Sequence, residues 1–283
     1  MSSAKQIGSF LRWRLIPVRY LTRLGNLGTS TLMRGRAPRT QVSAEVDAKG
    51  FYQGPTLDAA TVAALNAIYR PRGEKVVPKS SGAPFVNLVE AADFTPDHPI
   101  MKLAFSPEVL DPAIDYFGGD IVLDSVQVLY SYPTENMRES QYWHRDYGDS
   151  KSFHCVVYLN DVDNIDQGPF VFVDKSDTRR IRNSAIIRRI DDTQFTKELG
   201  DGEVRYFYGK AGESVFVDPA VCYHYGSRCK QPRYAIFITF NTSMPFVKPQ
   251  KLISSNADRL LDVGRALRPD LSEGILKSML QLN

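Results

Sequence analysis

The chain has 283 residues, of which 43% are hydrophobic and 24% charged, the composition of an ordinary globular protein. Its 15 Phe and 14 Tyr give ample apolar surface to bury, which excludes a chain that is disordered throughout. Three cysteines are too few for a disulfide-stapled scaffold. There is no run of about 18 or more apolar residues that would cross a membrane. The odd number of cysteines and the absence of a secretory leader favour a cytoplasmic protein.

Charge is distributed unevenly along the chain, although the net charge is only +3. Residues 1–44 contain eight of the 35 basic residues and no acidic residue. The remainder therefore has 27 basic against 32 acidic residues, a net charge of −5. The sequence predicts a basic amphipathic N-terminal arm, residues 1–44, followed by a single domain, residues 45–283.

The role of this arm is open to three interpretations. Its mixture of arginines and large apolar side chains suits a segment packed on the domain, a segment that binds an anionic membrane surface or a partner through residues 1–40, or a cleaved targeting peptide. Pro17 interrupts the helical pattern, so the pattern does not choose among them. A nucleic-acid partner is disfavoured because the domain is acidic and lacks a pattern of basic and aromatic residues.

The first predicted elements are helices. Residues 56–70 have apolar side chains at helical spacing, with Thr56 as the predicted N-cap and Pro71 as the predicted end. Residues 106–117 form a second predicted helix, ended by Gly118 and the glycine after it.

The pattern then changes to short β-rich runs separated by turn residues. Eight such runs in about 120 residues, within a β core of about residues 120–243, are typical of a sandwich, a barrel or a jelly roll. The predicted strands are 125–132, 140–146, 153–160, 169–173, 203–208, 213–217, 221–226 and 233–242.

Two further segments flank or interrupt this β core. Residues 174–202 form a charged insertion that we expect to be helical or a lid-like loop. Residues 255–282 predict one or two C-terminal helices, broken near Pro269.

Residues of the β core carry a pattern that suits a metal ion. His144 and Asp146 are two residues apart, so on a strand both side chains point to the same face. His224 follows Asp146 by 78 residues, on a predicted strand that can lie beside it. Two imidazoles and one carboxylate on one face form a facial triad, which leaves open positions on an octahedral Fe(II).

A predicted anion-binding residue completes the pattern. Arg233, at the start of the last strand, can hold a carboxylate with its two-pronged guanidinium group. A metal triad with a buried cation beyond it suits a ligand that chelates at one end and is anionic at the other, as 2-oxoglutarate does. Arg228 is the alternative for this clamp.

These residues lie in segments that resemble the phytanoyl-CoA dioxygenase group of Fe(II)/2-oxoglutarate oxygenases. The resemblance covers about residues 120–243 and rests on QYWHRDYG, the following HCVVYLNDVDNIDQGPFVFVDKSD and the distal GESVFVDPAVCYHYGSRCKQPRYAIFITF. It implies a mainly β fold, a double-stranded β-helix (jelly roll, cupin-like) with flanking α-helices. It also implies that His144, Asp146 and His224 bind iron, that Arg233 binds the far carboxylate of 2-oxoglutarate, and that Gln127 makes a polar contact to this co-substrate.

The resemblance further implies a reaction. With Fe(II), 2-oxoglutarate and O2, such an enzyme hydroxylates a C–H bond of a small-molecule, lipid or lipid-linked substrate and releases succinate and CO2. The alternative is a non-catalytic cupin-like module that binds a metal or a ligand. The substrate and the oligomeric state are not predicted.

The sequence departs from the family pattern at two places. Ala235 stands where many relatives have Ser or Thr, which affects how the co-substrate is held. Residues 174–177, DKSD, replace a usual Gly-Ser-His and are expected near the substrate.

The histidines and cysteines outside the triad have structural interpretations. We expect His154 in the core and His98 in a surface loop. Cys155, Cys222 and Cys229 are expected to be buried. Trp143 is expected either to wall the pocket or to face the core.

Overall fold

The computed structural model describes residue 21 and residues 40–78, 83–182 and 189–282. The predictions for the arm therefore lie outside the described residues, except at Leu21 and residues 40–44. In the described part of the chain, no helix combines the length and the apolar character needed to cross a bilayer.

The helices lie mainly before and after the β strands. In chain order they are α1 (Gln41–Lys49), α2 (Ala59–Glu74), α3 (Pro99–Ala104), α4 (Pro107–Phe117), α5 (Lys175–Thr178), α6 (Asp192–Leu199), α7 (Lys251–Ser254), α8 (Ala257–Leu267) and α9 (Glu273–Met279). Helix α1 spans the predicted boundary between arm and domain.

The strands are short except for two that run the length of one sheet. They are β1 (Phe51–Gln53), β2 (Phe85–Asn87), β3 (Ile121–Ser131), β4 (Trp143–His144), β5 (Ser152–Tyr158), β6 (Phe170–Phe172), β7 (Arg189–Ile190), β8 (Arg205–Phe207), β9 (Ser214–Val217), β10 (His224–Tyr225) and β11 (Arg233–Thr242).

Two antiparallel sheets form the core of the molecule. The larger has six strands in the order β1-β9-β5-β11-β3-β2, and the smaller has five in the order β7-β4-β10-β6-β8. Apolar side chains from both sheets form one buried cluster, so the sheets pack face to face. This arrangement, with helices flanking it, confirms the predicted jelly roll.

Side chains alternate along β11, so the two faces of the larger sheet pack into two different apolar clusters. Ala235 and Phe237 join the cluster between the sheets. Ile236 and Ile238 point the other way, into a larger cluster formed with α4 and the C-terminal helices. Because both faces are covered, the strand is buried along nearly its whole length.

A β-bulge breaks this alternation on β3. Thr239 pairs with Ser125, but the next residue of β11, Phe240, pairs with Leu123. Asp124 is therefore an extra residue without a partner on β11. A bulge of this kind redirects side chains, so that neighbours in sequence can point to the same face.

Helix α2 differs from its prediction at both ends. It begins after Asp58, whose carboxylate accepts a hydrogen bond from the Thr61 N–H (2.9 Å), so Thr56 is not the cap. It also continues through Pro71 to Glu74. Tertiary contacts of the last turn, in which Arg72 pairs with Asp93 (2.6 Å), outweigh the loss of one backbone hydrogen bond at the proline.

The other elements agree with their predictions in kind but not always in extent. Strand β3 begins at Ile121, earlier than predicted, whereas the predicted strands 140–146 and 221–226 shrink to β4 and β10. The C-terminal helices α8 and α9 are separated around Pro269, as predicted.

The described part of the insertion is largely helical, with α5 and α6 at its two ends. Helix α6 covers the smaller sheet through Phe195, whose ring stacks on Trp143 with centroids 3.6 Å apart. The insertion therefore packs directly behind the strand that carries His144.

Candidate metal centre

Two short strands bring the predicted histidines together. Strand β10 pairs antiparallel with β4, and His224 lies directly opposite His144, with ring centroids 4.3 Å apart. Asp146 lies just beyond β4, where its N–H donates to the Pro219 carbonyl (2.9 Å). The predicted meeting of the two distant segments is confirmed.

The three side chains direct their ligand atoms at one point. Asp146 Oδ1 lies 3.6 Å from His144 Nε2 and 3.7 Å from His224 Nε2, and ligand atoms of the three residues all lie within 4.8 Å of one another. Both of these N–O separations are less than twice a metal–ligand bond of about 2.1 Å. A single ion can therefore contact all three residues.

Backbone carbonyls fix the orientation of both imidazoles. His144 Nδ1 donates to the Tyr142 carbonyl (2.8 Å), and His224 Nδ1 donates to the Cys222 carbonyl (3.0 Å). With the proton on Nδ1, Nε2 presents a lone pair to the centre. Fixing the second nitrogen in this way is typical of histidines that bind metals.

Burial keeps these imidazoles neutral. It lowers the pKa of His144 to about 4, an effect to which nearby His224 adds. Burial likewise lowers the pKa of His224 to about 4. Neutral imidazole is the form that binds metal ions, so both residues are in the ligating state at neutral pH.

His154 is a site residue that the sequence analysis placed in the core. It lies on the face of β5 that points between the sheets, and its Nε2 is 3.6 Å from Asp146 Oδ2. Burial lowers the pKa of His154 to about 4. The apolar residues around it in sequence hid this position, since alternate residues of β5 face different layers.

Arg233 is buried between the sheets without an acidic partner among the described residues. Only 1% of its surface is exposed. Its Nη1 donates to the Gly168 carbonyl, and Nη2 donates to the hydroxyls of Ser227 (3.1 Å) and Ser131 (3.4 Å). Its Nε has no hydrogen-bond partner in the described part of the chain. A buried cation with a free donor suits the binding of an anion.

Glycine is required where Arg233 meets the turn before β6. Gly168 has φ +66°, and a Cβ there would lie 3.0 Å from the backbone of Cys229. The Gly168-Pro169 turn therefore places the carbonyl that holds the arginine.

Arg228, the alternative clamp, is already engaged. Its guanidinium makes two hydrogen bonds to the Asp192 carboxylate (2.8 and 2.9 Å), and its Nε donates to the Gln141 carbonyl (2.6 Å). The structure therefore favours Arg233.

A polar cavity of about 210 Å³ opens beside Asp146. His154 and Gln127 also line it. The remaining lining residues are Asp124, Ser125, Tyr147, Gly148, Asp149, Ser152, Thr239, Asn241, Val247 and Gln250. The cavity thus lies next to the ion position.

Burial raises the pKa of two carboxyl groups in this lining. The pKa of Asp124 rises to about 7, with Asp146 and Asp149 contributing negative charge nearby. That of Asp149 rises to about 6, although Thr242 and Ser150 donate hydrogen bonds to it. The cavity is therefore acidic in character.

A larger cavity, of about 500 Å³, lies on the other side of the six-stranded sheet. Cys155 and Val157 line it, whereas His154, the residue before Cys155, faces the candidate metal centre. The sheet separates this cavity from the three ligands.

The two departures from the family pattern have structural explanations. Ala235 packs in the cluster between the sheets, and the hydroxyls beside Arg233 come from Ser131 and Ser227 instead. Asp174 caps α5 by accepting from the Asp177 N–H (2.8 Å). Residues 174–177 do not line the cavity beside Asp146.

The structure also places Trp143, His98 and the three cysteines. Trp143 faces the core. His98 is not a free surface residue: it caps α3, and its Nε2 lies 3.4 Å from Asp93. All three cysteines are buried, as predicted.

Comparison with solved structures supports the fold. The epimerase SnoN, in complex with Fe3+, alpha-ketoglutarate and nogalamycin RO, is similar to this chain with a TM-score of 0.55 and 17% identity, over 74% of this chain and 85% of SnoN. The carbocyclase SnoK gives a TM-score of 0.54 and 18% identity, over 77% and 89% of the two chains. The chain has the fold of these proteins.

A third solved structure has the same fold. EctD from S. alaskensis, with 2-oxoglutarate and 5-hydroxyectoine, gives a TM-score of 0.54 and 17% identity, over 76% of this chain and 83% of EctD. No family model matches the chain, and no curated protein matches its sequence.

Proposed function

We propose that this protein is an Fe(II)- and 2-oxoglutarate-dependent oxygenase. The observation that carries the proposal is the convergence of His144, Asp146 and His224, with both Nδ1 atoms held by backbone carbonyls. Two nitrogens and one carboxylate oxygen are the donor set of the facial triad of non-heme Fe(II) oxygenases. SnoN and EctD, which share the fold, were crystallised with the keto acid.

Arg233 supports the proposed binding of 2-oxoglutarate. Its guanidinium lies at the start of β11, on the face that points between the sheets. No described acidic residue neutralises it, so the far carboxylate of 2-oxoglutarate is a fitting partner. Gln127 faces the same interior space, as the alternation along β3 predicts, and is available as a polar contact to this co-substrate.

Different residues of the site would have different roles in such a reaction. Bound at the triad, Fe(II) would supply O2 chemistry that oxidises 2-oxoglutarate to succinate and CO2 and a substrate C–H bond to an alcohol. The carbonyls of Tyr142 and Cys222 hold the two imidazoles in the ligating tautomer. The apolar cluster between the sheets keeps bulk water from the buried side of the site.

We propose that the reaction is hydroxylation of a small molecule. We also propose that the chain belongs to the phytanoyl-CoA dioxygenase-like group. The cavity of about 210 Å³ is smaller than the roughly 300–1,000 Å³ of pockets that take drug-sized ligands. It suits a small substrate or the reacting end of a larger one. SnoN is an epimerase and SnoK a carbocyclase, so the shared fold alone does not select the outcome.

The test compares the wild-type chain with His144→Ala and Asp146→Ala, and uses His98→Gln as the matched control. Under anaerobic conditions the wild type and the control should bind one Fe(II) and then form the coloured chelate with 2-oxoglutarate. The two triad variants should lose iron binding by at least about tenfold. Succinate release in air should follow the same order.

Two results would contradict the proposal. Iron binding that survives loss of His144 or Asp146 would place the metal elsewhere. Metal binding without the keto acid chelate and without succinate would indicate the alternative, a non-catalytic metal-binding module.

A further inference from the structure

We propose that the cavity beside the metal centre binds a small polar substrate through a protonated nitrogen, an amine or an amidine, that donates to the Asp124 carboxylate. The proposal deepens the function proposed above and rests on it for the role of the bound molecule as substrate. Four observations carry it.

The first observation is the bulge on β3. Ser125 and Gln127 face the cavity because alternate residues of a strand share a face. Asp124, as the extra residue of the bulge, lines the same cavity although it is adjacent to Ser125. The distortion of the strand thus adds a carboxylate to a face that would otherwise not have one.

The second observation is that Asp124 has no protein partner among the described residues. Within residues 40–78, 83–182 and 189–282, no side chain or backbone N–H donates to its carboxylate, and no lysine or arginine pairs with it. Its backbone carbonyl accepts a hydrogen bond from the Gln250 N–H (3.0 Å). A partly buried carboxylate without donors is costly unless a ligand supplies them.

The third observation concerns the hydroxyls around Asp124. Ser125 is 2% exposed and Thr239 is 6% exposed. Neither hydroxyl makes a hydrogen bond within the described chain, and both residues line the cavity. Buried polar groups are nearly always hydrogen-bonded, so unengaged hydroxyls that line a cavity indicate a polar ligand.

The fourth observation is the sign of the charges. The residues that line the cavity include Asp124, Asp146 and Asp149 but no lysine or arginine. Asp149 is engaged by Thr242 and Ser150, and Asp146 by the metal position, which leaves Asp124 as the unmatched acid. A cationic group suits this lining, whereas the phosphates of an acyl-CoA do not.

The experiment uses three probes that share a three-carbon skeleton and differ in charge: serinol, which is cationic, glycerol, which is neutral, and glycerate, which is anionic. Saturation-transfer NMR measures their binding to the full chain loaded with diamagnetic Zn(II). Because a hydrogen bond to a charged group contributes more than one between neutral groups, serinol should bind at least about tenfold more tightly than glycerol, and glycerate most weakly.

Variants of Asp124 test whether this residue causes the preference for serinol over glycerol. Asp124→Asn keeps the shape of the side chain and should reduce the preference for serinol to less than about threefold. Asp124→Ser should do the same and serves if the first variant does not fold. The control Asp97→Asn removes an exposed carboxylate from another part of the surface and should keep the full preference.

Equal binding of serinol and glycerol, no binding of serinol, or a preference that survives in both Asp124 variants would overturn the inference. Because the Zn(II) form does not turn over, this result is independent of succinate release. Absence of iron-dependent activity together with intact serinol binding would contradict the oxygenase proposal and leave the proposed cation site unaffected. Intact iron-dependent activity without serinol binding would contradict the cation site and leave the oxygenase proposal unaffected.

Discussion

Arg233 is the residue whose placement is hardest to explain by stability alone. A guanidinium that is 1% exposed has lost its hydration, and its described neighbours are hydroxyls and one carbonyl rather than an acid. Breaking a buried ion pair usually costs stability, but here there is no pair to break. We therefore assign the residue to ligand binding.

Replacing Arg233 with Met should separate binding from stability. Because the apolar side chain removes an unpaired buried charge at similar volume, the free energy of unfolding should change by less than about 2 kcal/mol. The Kd for 2-oxoglutarate should rise at least about tenfold. Urea unfolding and titration of the keto acid measure the two effects. In the control Arg228→Met, which loses the pair with Asp192, the Kd should stay within about twofold.

The sequence predicted which residues of the candidate metal centre come together. His144 and Asp146 are only two residues apart, although Asp146 lies beyond the end of β4 rather than on it, and Arg233 begins a long apolar strand whose direction is plain from its pattern. Asp124 and His154 were missed. A bulge has no sequence signature here, and the direction of the His154 side chain depends on which layer β5 meets on each side.

At the scale of elements, Asp218 links three parts of the fold. It lies in the turn after β9 and accepts hydrogen bonds from the Tyr116 hydroxyl of α4 (2.7 Å), the Ser152 N–H of β5 (3.2 Å) and the Ala220 N–H (2.9 Å). Burial raises the pKa of Asp218 to about 6, above its ordinary value of 3.8. The folded state therefore holds a proton there that the unfolded state releases.

This proton makes stability depend on pH. The contribution of Asp218 is fully present below pH 3.8 and is lost as the pH rises to about 6, by about 3 kcal/mol at about 1.4 kcal/mol per pKa unit. Asp218→Asn, which keeps a similar shape, should remove this dependence. Urea unfolding between pH 4 and pH 7 should show the wild type losing stability relative to the variant. Parallel curves for the two proteins would contradict the assignment.

Helices and strands were predicted with unequal success because packing decides their ends. The glycines after α4 end it where the pattern predicts, since Gly118 adopts a left-handed conformation (φ 81°). Pro71 does not end α2, because contacts of its last turn with Asp93 and with Tyr234 hold it in helical form. Such contacts are not visible in local sequence.

At the scale of the whole molecule, the candidate site is where the two sheets meet. Strands β4 and β10 of the smaller sheet supply the histidines, while β3, β5 and β11 of the larger sheet supply Gln127, His154 and Arg233. A ligand bound there would add a further connection between two layers that are joined by apolar contacts and by the hydrogen bonds of Tyr158 with Phe170 and Phe207. Ligand binding should therefore be coupled to global unfolding.

Metal binding should raise the melting temperature. A ligand at about 100 times its Kd stabilises the folded state by about 2.7 kcal/mol, which for a chain of this size corresponds to at least about 5 °C. Calorimetry with and without Fe(II) under anaerobic conditions measures the shift. His144→Ala should show no shift, and His98→Gln should show the full one. A shift of equal size in His144→Ala would mean that the stabilising ion binds at another place.

The bulge at Asp124 has a consequence for how this scaffold can diversify. Since the residue stands outside the pairing of β3 with β11, exchanging its side chain disturbs no cross-strand partner. The candidate metal ligands and Arg233 lie outside β3 and keep their own supports. The charge preference that we propose for the ligand can therefore change by substitution at this one position, without change at His144, Asp146 or His224.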